Sequence, residues 1–449
     1  LNVSGNNLTS LPENLPPTLE KLNVSHNQLT SLPENLPQKL WNLDVTDNRL
    51  TSLPENLPPT LKASDVAFNE LTSLPENLPP TLEELNVYNN KLTSLPENLP
   101  PKLKVLDVAF NELTSLPENL PSTLEELHAS YNRLTSLPEN LPQTLKILGV
   151  LYNKLTSLPE NLPSTLEELY VPHNLTSSPE NLPSTLRLLH VSNNKLTSLP
   201  EKLPKLRKIY VSENELTSLP ENLPSTLKRL IASWNKLTSL PENLPSRLRI
   251  LDVSENKLTS LPENLPPRLK ELNVSGNEFT SLSEKHLPPK LEDLDVSWNK
   301  LTFLPENLPP KLKSLSISNN NITSLPAHLS SKLKLYDHGN DALTSLPEKT
   351  VVYYHENFTL KNIVFRWIVK QELEREKLNV LPADLIEVLE GNTYTCTKCH
   401  LKLPICTRFK KEYFIRDGFM IMRNKRVHHR YSCIGCRKMI FLETLVFER

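Results

Sequence analysis

Cysteine is missing from the first 395 residues of this 449-residue chain, so no disulfide staples that stretch. Glycine is scarce as well. Seven glycines stand against 41 prolines, which excludes a collagen-like triple helix. Aromatic residues make up 6% and hydrophobic residues 37%, a poor supply for one large globular core. No apolar run approaches the roughly 20 residues that span a bilayer, so no membrane association is expected. The formal net charge of −1 conceals an uneven division. Residues 1–350 carry 32 basic and 40 acidic side chains, a net of −8, whereas residues 351–449 carry 18 and 11, a net of +7. A mildly acidic body is joined to a basic tail.

What the chain has is repetition. An asparagine recurs at 6, 27, 48, 69, 90, 111, 132, 153, 174, 194, 214, 235, 256, 277, 299 and 320, at spacings of 21 with two of 20 and one of 22. Around it runs the pattern L-x-x-L-x-V-x-x-N-x-L-T-S-L-P-E-N-L-P-x-T. Sixteen turns follow one register, and a degraded seventeenth ends near Leu346. Length alone would predict two to four domains, but a period of this kind predicts one stacked array over residues 1–346. In Leu85-Asn86-Val87 two apolar residues alternate inward, as a short strand requires, and successive strands are expected to pair in parallel. The asparagine is expected to satisfy backbone groups where the chain turns away, forming a ladder, because each unpaired polar group there would cost about 1–3 kcal/mol. Two prolines four residues apart in Leu53-Pro54-Glu55-Asn56-Leu57-Pro58 suit extended or 3₁₀ structure and exclude a regular helix from that segment.

With these residues in view, residues 1–346 resemble the leucine-rich-repeat superfamily. The short unit is most similar to the bacterial-effector class, the YopM- and IpaH-like proteins. The resemblance implies an α/β repeat solenoid, a horseshoe whose parallel sheet lines a concave face that recognises partners. It also implies binding rather than catalysis. Secreted members commonly carry disulfide-bonded caps, and these repeats hold no cysteine. A reduced protein of the cytoplasm, or the nucleus, is therefore expected. Leu1 falls inside a repeat, which predicts that the natural chain starts upstream.

The repeats vary where side chains alternate outward beside the strand. Just before the ladder asparagine stand Phe68, Phe110, Tyr131, Tyr152 and His173, then Trp234 and Trp298. The mid-strand outward position holds Tyr170, His190 and Tyr210, and Tyr88, Val105, Ile147, Leu151 and Leu188 add apolar area nearby. Strands about 4.8 Å apart would bring Phe110, Tyr131 and Tyr152 into one stripe, a candidate partner-binding face. Drift after tandem duplication would also scatter aromatics over a surface. Asp44, Asp65, Asp107, Asp252 and Asp295 share the outward position and read as a solvated acidic face, or as a selector of a basic partner. The net charge of −8 disfavours nucleic acid here.

After Pro347 the composition changes. Leu360, Ile363, Val364, Trp367 and Ile368 lie at helical spacing, so a helix over 359–378 and a shorter one from Pro382 to Leu389 are expected to cap the last repeat within residues 347–391. Residues 392–449 carry Cys396-x2-Cys399 and Cys433-x2-Cys436, the arrangement by which two short loops hold one structural zinc ion. The alternatives are four free thiols or a redox pair. Asp417-Gly418, between Tyr413–Ile415 and Phe419–Met422, signals a hairpin, and residues 439–447 a further strand, so the module resembles a zinc ribbon. Cys406 has no Asp-His arrangement to make it a nucleophile, and the ligands are too few for a RING-type domain. The run Arg423, Lys425, Arg426, His428, His429, Arg430 is the most basic stretch, a possible nucleic-acid contact that small zinc modules also carry for solubility. The leading expectation is an intracellular adaptor that binds a protein on the concave face. One alternative is a nucleic-acid-binding protein led by the tail. Another is a ubiquitin-ligase substrate receptor, from a loose resemblance of the cysteines and the Leu381-to-Leu385 segment to animal intracellular receptors.

Overall fold

The computed structural model describes residues 1–171, 175, 181–283, 287–330, 332–337, 339–340 and 343, and seven strands beyond them between Val351 and Leu442. The chain divides into two compact units, Leu1–Phe279 with Lys285–Leu291, and Thr280–Glu284 with Glu292–Arg449.

The first unit holds thirteen three-residue strands, from Lys21–Asn23 to Glu271–Asn273. Each pairs in parallel with the next, one repeat on in the same register: Lys21 faces Asn42, which faces Ala63, which faces Glu84. The strands are short because the pattern supplies only one inward leucine between two outward residues before the chain must turn. That leucine and the valine two residues later are buried, as are two leucines beyond the ladder asparagine; Leu43, Val45, Leu50 and Leu53 make one such layer. Burying each leucine contributes about 1.5–3 kcal/mol, so the core is a pile of thin, equivalent layers. One layer is flawed. Ser64 takes the place of leucine between Leu43 and Leu85, and its buried hydroxyl has no partner.

The asparagine ladder forms as expected. The Asn69 amide donates to the carbonyls of Val45 (3.0 Å), Val66 (3.1 Å) and Ala67 (3.1 Å), while its oxygen accepts the Leu50 N–H at 3.0 Å. Asn90, Asn111 and Asn132 repeat the set one turn apart. A second ladder was not anticipated. The Thr81 hydroxyl lies 2.7 Å from the Pro59 carbonyl and 2.8 Å from that of Leu61, and Thr60, Thr123, Thr144 and Thr165 do the same.

The α/β expectation needs correcting: among the described residues of the repeats there is no helix. The segment opposite the strands runs extended into a tight turn, in which Leu61 N–H bonds the Pro58 carbonyl and Leu82 N–H that of Pro79, each at 3.0 Å. Proline removes the backbone donor and fixes φ in each repeat, so extended backbone closed by a turn replaces the helix there.

In the second unit Asp293–Asp295, Ser314–Ser316, Lys334–Tyr336 and Val351–Tyr353 pair in parallel. The ladder reaches the degraded repeat through Asn340, which accepts from Ile322 N–H (3.0 Å) and donates to the Ile317 carbonyl (2.9 Å). Strand Tyr413–Arg416 then adds antiparallel to Val351–Tyr353 and pairs antiparallel with Phe419–Ile421, Arg416 facing Phe419; Asp417-Gly418, where the sequence predicts the turn, lies outside the described residues. The expected cap helices lie outside the described residues.

Candidate interaction surface

The residue before each ladder asparagine lies where the strand ends and the chain must swing outward. The backbone there is left-handed: φ is between 53° and 59° at thirteen non-glycine residues, and Gly5, Gly276 and Gly339 occupy the same place. Asn89, Asn193, Asn319 and Asp47 suit it, since short polar side chains tolerate that region. Phe68, Phe110, Tyr131, Tyr152, Trp234 and Trp298 do not, and a left-handed residue with a bulky side chain costs roughly 1–2 kcal/mol.

The rings nonetheless gather. Phe110 stacks on Tyr131 with centroids 4.0 Å apart, and Tyr131 on Tyr152 at 4.1 Å, the planes within 16° and 17°. Tyr88, one position nearer its strand, bridges Phe68 at 5.2 Å and Phe110 at 5.0 Å. Five rings form one ribbon at the carboxyl ends of the strands. All stay partly in water: Phe68, Phe110, Tyr131 and Tyr152 are exposed and Tyr88 is half-buried. Burial and a hydrogen bond with Tyr152 raise the Tyr131 phenol above its ordinary value.

Mid-strand, Tyr170, His190 and Tyr210 face one another across adjacent strands, with centroids 5.9 Å and 5.2 Å apart. Burial, followed by the hydrogen bond that Tyr170 donates to Glu168, pushes its phenol upward. The expected Phe110–Tyr131–Tyr152 stripe is part of the ribbon. Among the described residues the candidate face comprises that ribbon of five, the mid-strand trio, and Trp234, which is exposed and meets no other described ring. Leu188 is buried and adds nothing to it. His173 and all five cysteines lie outside the described residues, among which no group of three or more His, Cys, Asp or Glu could hold a metal.

The aspartates prove to be structural. Asp65 and Asp107 accept the N–H two residues on, at 3.1 Å and 3.0 Å, closing the strand end, and Asn23, Asn86 and Asn273 make the same bond. Burial raises the Asp107 carboxyl, opposed by that N–H and by His128. Asp and Asn carry the side-chain oxygen that makes this turn most strongly. From His128 to Ile231 the position passes through Gly149, Tyr170, His190 and Tyr210, six successive repeats without the cap. Elsewhere charges alternate from repeat to repeat and pair, as Lys104 with Glu83 at 2.7 Å, Lys91 with Glu70 at 2.8 Å, and Arg133 with Glu112 at 3.1 Å.

A stack of identical strand-and-turn units, with an invariant frame and variable outward side chains, defines a repeat protein of the binding kind. Residues 18–38, 81–101 and 311–332 match the family model described as Leucine Rich Repeat. Among solved structures, YopM from Yersinia enterocolitica is 36% identical, with a TM-score of 0.63 over 79% of this chain and 91% of its own. YopM from Yersinia pestis, described as a leucine-rich effector protein, is 38% identical, with a TM-score of 0.65 over 71% and 88%. The functional domain of InlJ from Listeria monocytogenes is 26% identical, with a TM-score of 0.62 over 72% and 73%. No curated protein matches the chain. The chain belongs to the leucine-rich-repeat family. That fold serves protein–protein interaction generally, and no helix among the described residues is long and apolar enough to cross a membrane.

Proposed function

We propose that the chain is an intracellular adaptor whose aromatic ribbon, Phe68–Tyr88–Phe110–Tyr131–Tyr152, seats a protein partner. One observation carries this reading: four of the five rings occupy left-handed backbone positions that asparagine or glycine would fill more cheaply. Four ring contacts contribute about 0.5–1.5 kcal/mol each, which does little more than offset the four backbone penalties. The ribbon is thus nearly neutral for folding, and exposed, stacked aromatics are the usual anchors of an interface. Replacing Tyr131 and Tyr152 with Asn, the residue of the equivalent position in other repeats, leaves the backbone content. Quantitative pull-down with the full chain should show a partner captured by the wild type and lost by this variant. An unchanged set of captured proteins overturns the reading.

A structural zinc ion is proposed for the tail. Strand Tyr394–Thr395 pairs antiparallel with Lys402–Leu403, and His429–Ser432 with Met439–Leu442. The six residues between each pair of strands contain Cys396 and Cys399, and Cys433 and Cys436. Two Cys-x2-Cys pairs, each lying in sequence between paired strands, are what a tetrahedral thiolate site draws on. One zinc per chain is expected by elemental analysis of purified protein, with loss on replacing Cys433 and Cys436 by Ser. Folded protein with none refutes it.

A further inference from the structure

The position just after the first leucine of each repeat changes character along the first unit. From Lys62 it alternates: Glu83, Lys104, Glu125, Lys146, Glu167, with Lys104–Glu83 and Lys146–Glu125 joined as ion pairs. The next five residues are all basic: Arg187, Arg207, Lys228, Arg249 and Lys270. The backbone stacks them directly. Arg207 N–H bonds the Arg187 carbonyl (2.6 Å), Lys228 that of Arg207 (2.9 Å), Arg249 that of Lys228 (2.9 Å), and Lys270 that of Arg249 (2.8 Å). Arg207, Lys228, Arg249 and Lys270 are exposed. Among the described residues no carboxylate pairs with Arg187, Arg207, Lys228 or Arg249. Lys205, Arg247 and Arg268 flank the column one side over, and Lys208 and Arg229 the other. Like charges one strand spacing apart repel, and among the described residues no ion pair relieves Arg207, Lys228 and Arg249.

We propose that this basic column binds an acidic segment of a polypeptide partner. The proposal deepens the adaptor reading, since it rests on the strand face being the one that meets the partner. Lys208 and Arg229 share their strands' outward face with Tyr210 and Ile231, two residues on, so the column begins, at Arg187 and Arg207, beside His190 and Tyr210 of the trio and continues past them. Four strand spacings give a length of about 19 Å, the reach of roughly six residues of extended chain. Glu167 precedes Arg187 in the column, and Glu168 and Glu271 end the adjoining file of Leu188, Lys208, Arg229 and Ile250. A nucleic-acid strand running on past it would meet those carboxylates. The trio's rings also meet at 68° and 50°, leaning on one another instead of standing apart as platforms for bases. A short acidic peptide with an apolar or aromatic residue fits both features.

The probe is fluorescein-labelled hexaglutamate, followed by anisotropy with the full chain at low salt, beside a labelled ten-nucleotide oligothymidylate. Hexaglutamate is expected to bind, more tightly than oligothymidylate, and to weaken as salt is raised. Arg207→Glu/Lys228→Glu/Arg249→Glu should weaken it at least tenfold, with Arg207→Gln/Arg249→Gln intermediate and melting no lower than the wild type. Lys62→Glu/Lys104→Glu, in the alternating stretch, should change it less than twofold. Absence of hexaglutamate binding, equal loss in both reversal variants, or tighter oligothymidylate binding overturns the proposal. The Tyr131→Asn/Tyr152→Asn chain should still bind hexaglutamate, so failure of the ribbon and failure of the column are separately visible.

Discussion

Tyr131 and Asn132 are neighbours in sequence and should respond oppositely to substitution. Asn132→Ala removes an amide that donates to the carbonyls of Val108 (2.9 Å), Ala129 (3.2 Å) and Ser130 (3.3 Å) and accepts the Leu113 N–H (2.9 Å). The site is buried, so these groups find no water. At about 2 kcal/mol for each group left unpaired, two or three such groups put the cost near 4–6 kcal/mol. That is a large part of the roughly 5–15 kcal/mol by which a folded domain is stable. Tyr131→Asn loses two stacked contacts, about 1–3 kcal/mol together, and regains roughly 1–2 kcal/mol of backbone strain. Its net effect should lie within about 1 kcal/mol of zero, since the two terms overlap in size. Urea unfolding of the full chain, followed by tryptophan fluorescence, compares the midpoints. Repeat arrays need not unfold in one step, so the comparison is of the same transition in each protein. A ladder variant as stable as the wild type, or a ring variant as damaged as Asn132→Ala, refutes the reasoning.

Two further outcomes follow from the same geometry. Ser64→Leu restores the residue that its neighbours Leu43 and Leu85 carry and removes a buried, unpartnered hydroxyl; it should stabilise by about 1–3 kcal/mol, raising the thermal midpoint. A lower midpoint would show that the layer is already filled. Acid should weaken the fold through the inter-repeat ion pairs. Hydrogen bonds and charge from Lys91, Lys104, Lys146 and Lys236 hold Glu70, Glu83, Glu125 and Glu215 below the ordinary 4.5, so the folded chain binds fewer protons than the unfolded one. Their contribution is present above that value and lost as pH falls through the lowered one. Asp107 runs the other way: its raised carboxyl favours the fold when protonated, and that contribution fades as pH rises through its folded value. With four pairs against one aspartate, thermal melts should show a lower midpoint from pH 6 towards pH 3.5, by a smaller margin in high salt. A midpoint rising on acidification would contradict this.

The layers of Leu and Val, the register of the strands and the duty of each ladder asparagine were all written in the 21-residue period, because each depends on contacts between a residue and its own copy one turn away. A repeat makes such contacts local in pattern even when they are distant in the chain. Hence Asn132 and Leu43 could be assigned from spacing. The tertiary structure alone decided what depends on direction. Period does not report the sign of φ, so nothing in the string said that Phe110 and Tyr131 sit on left-handed backbone. Nor did it say that Tyr88 leans back to join them while Trp234 stands apart. The aspartates read as a surface charge until their oxygens were seen closing strand ends on the N–H two residues on. Ring stacking, turn caps and ion pairing are set by where a side chain points after the backbone has turned, and that vector exists only in three dimensions.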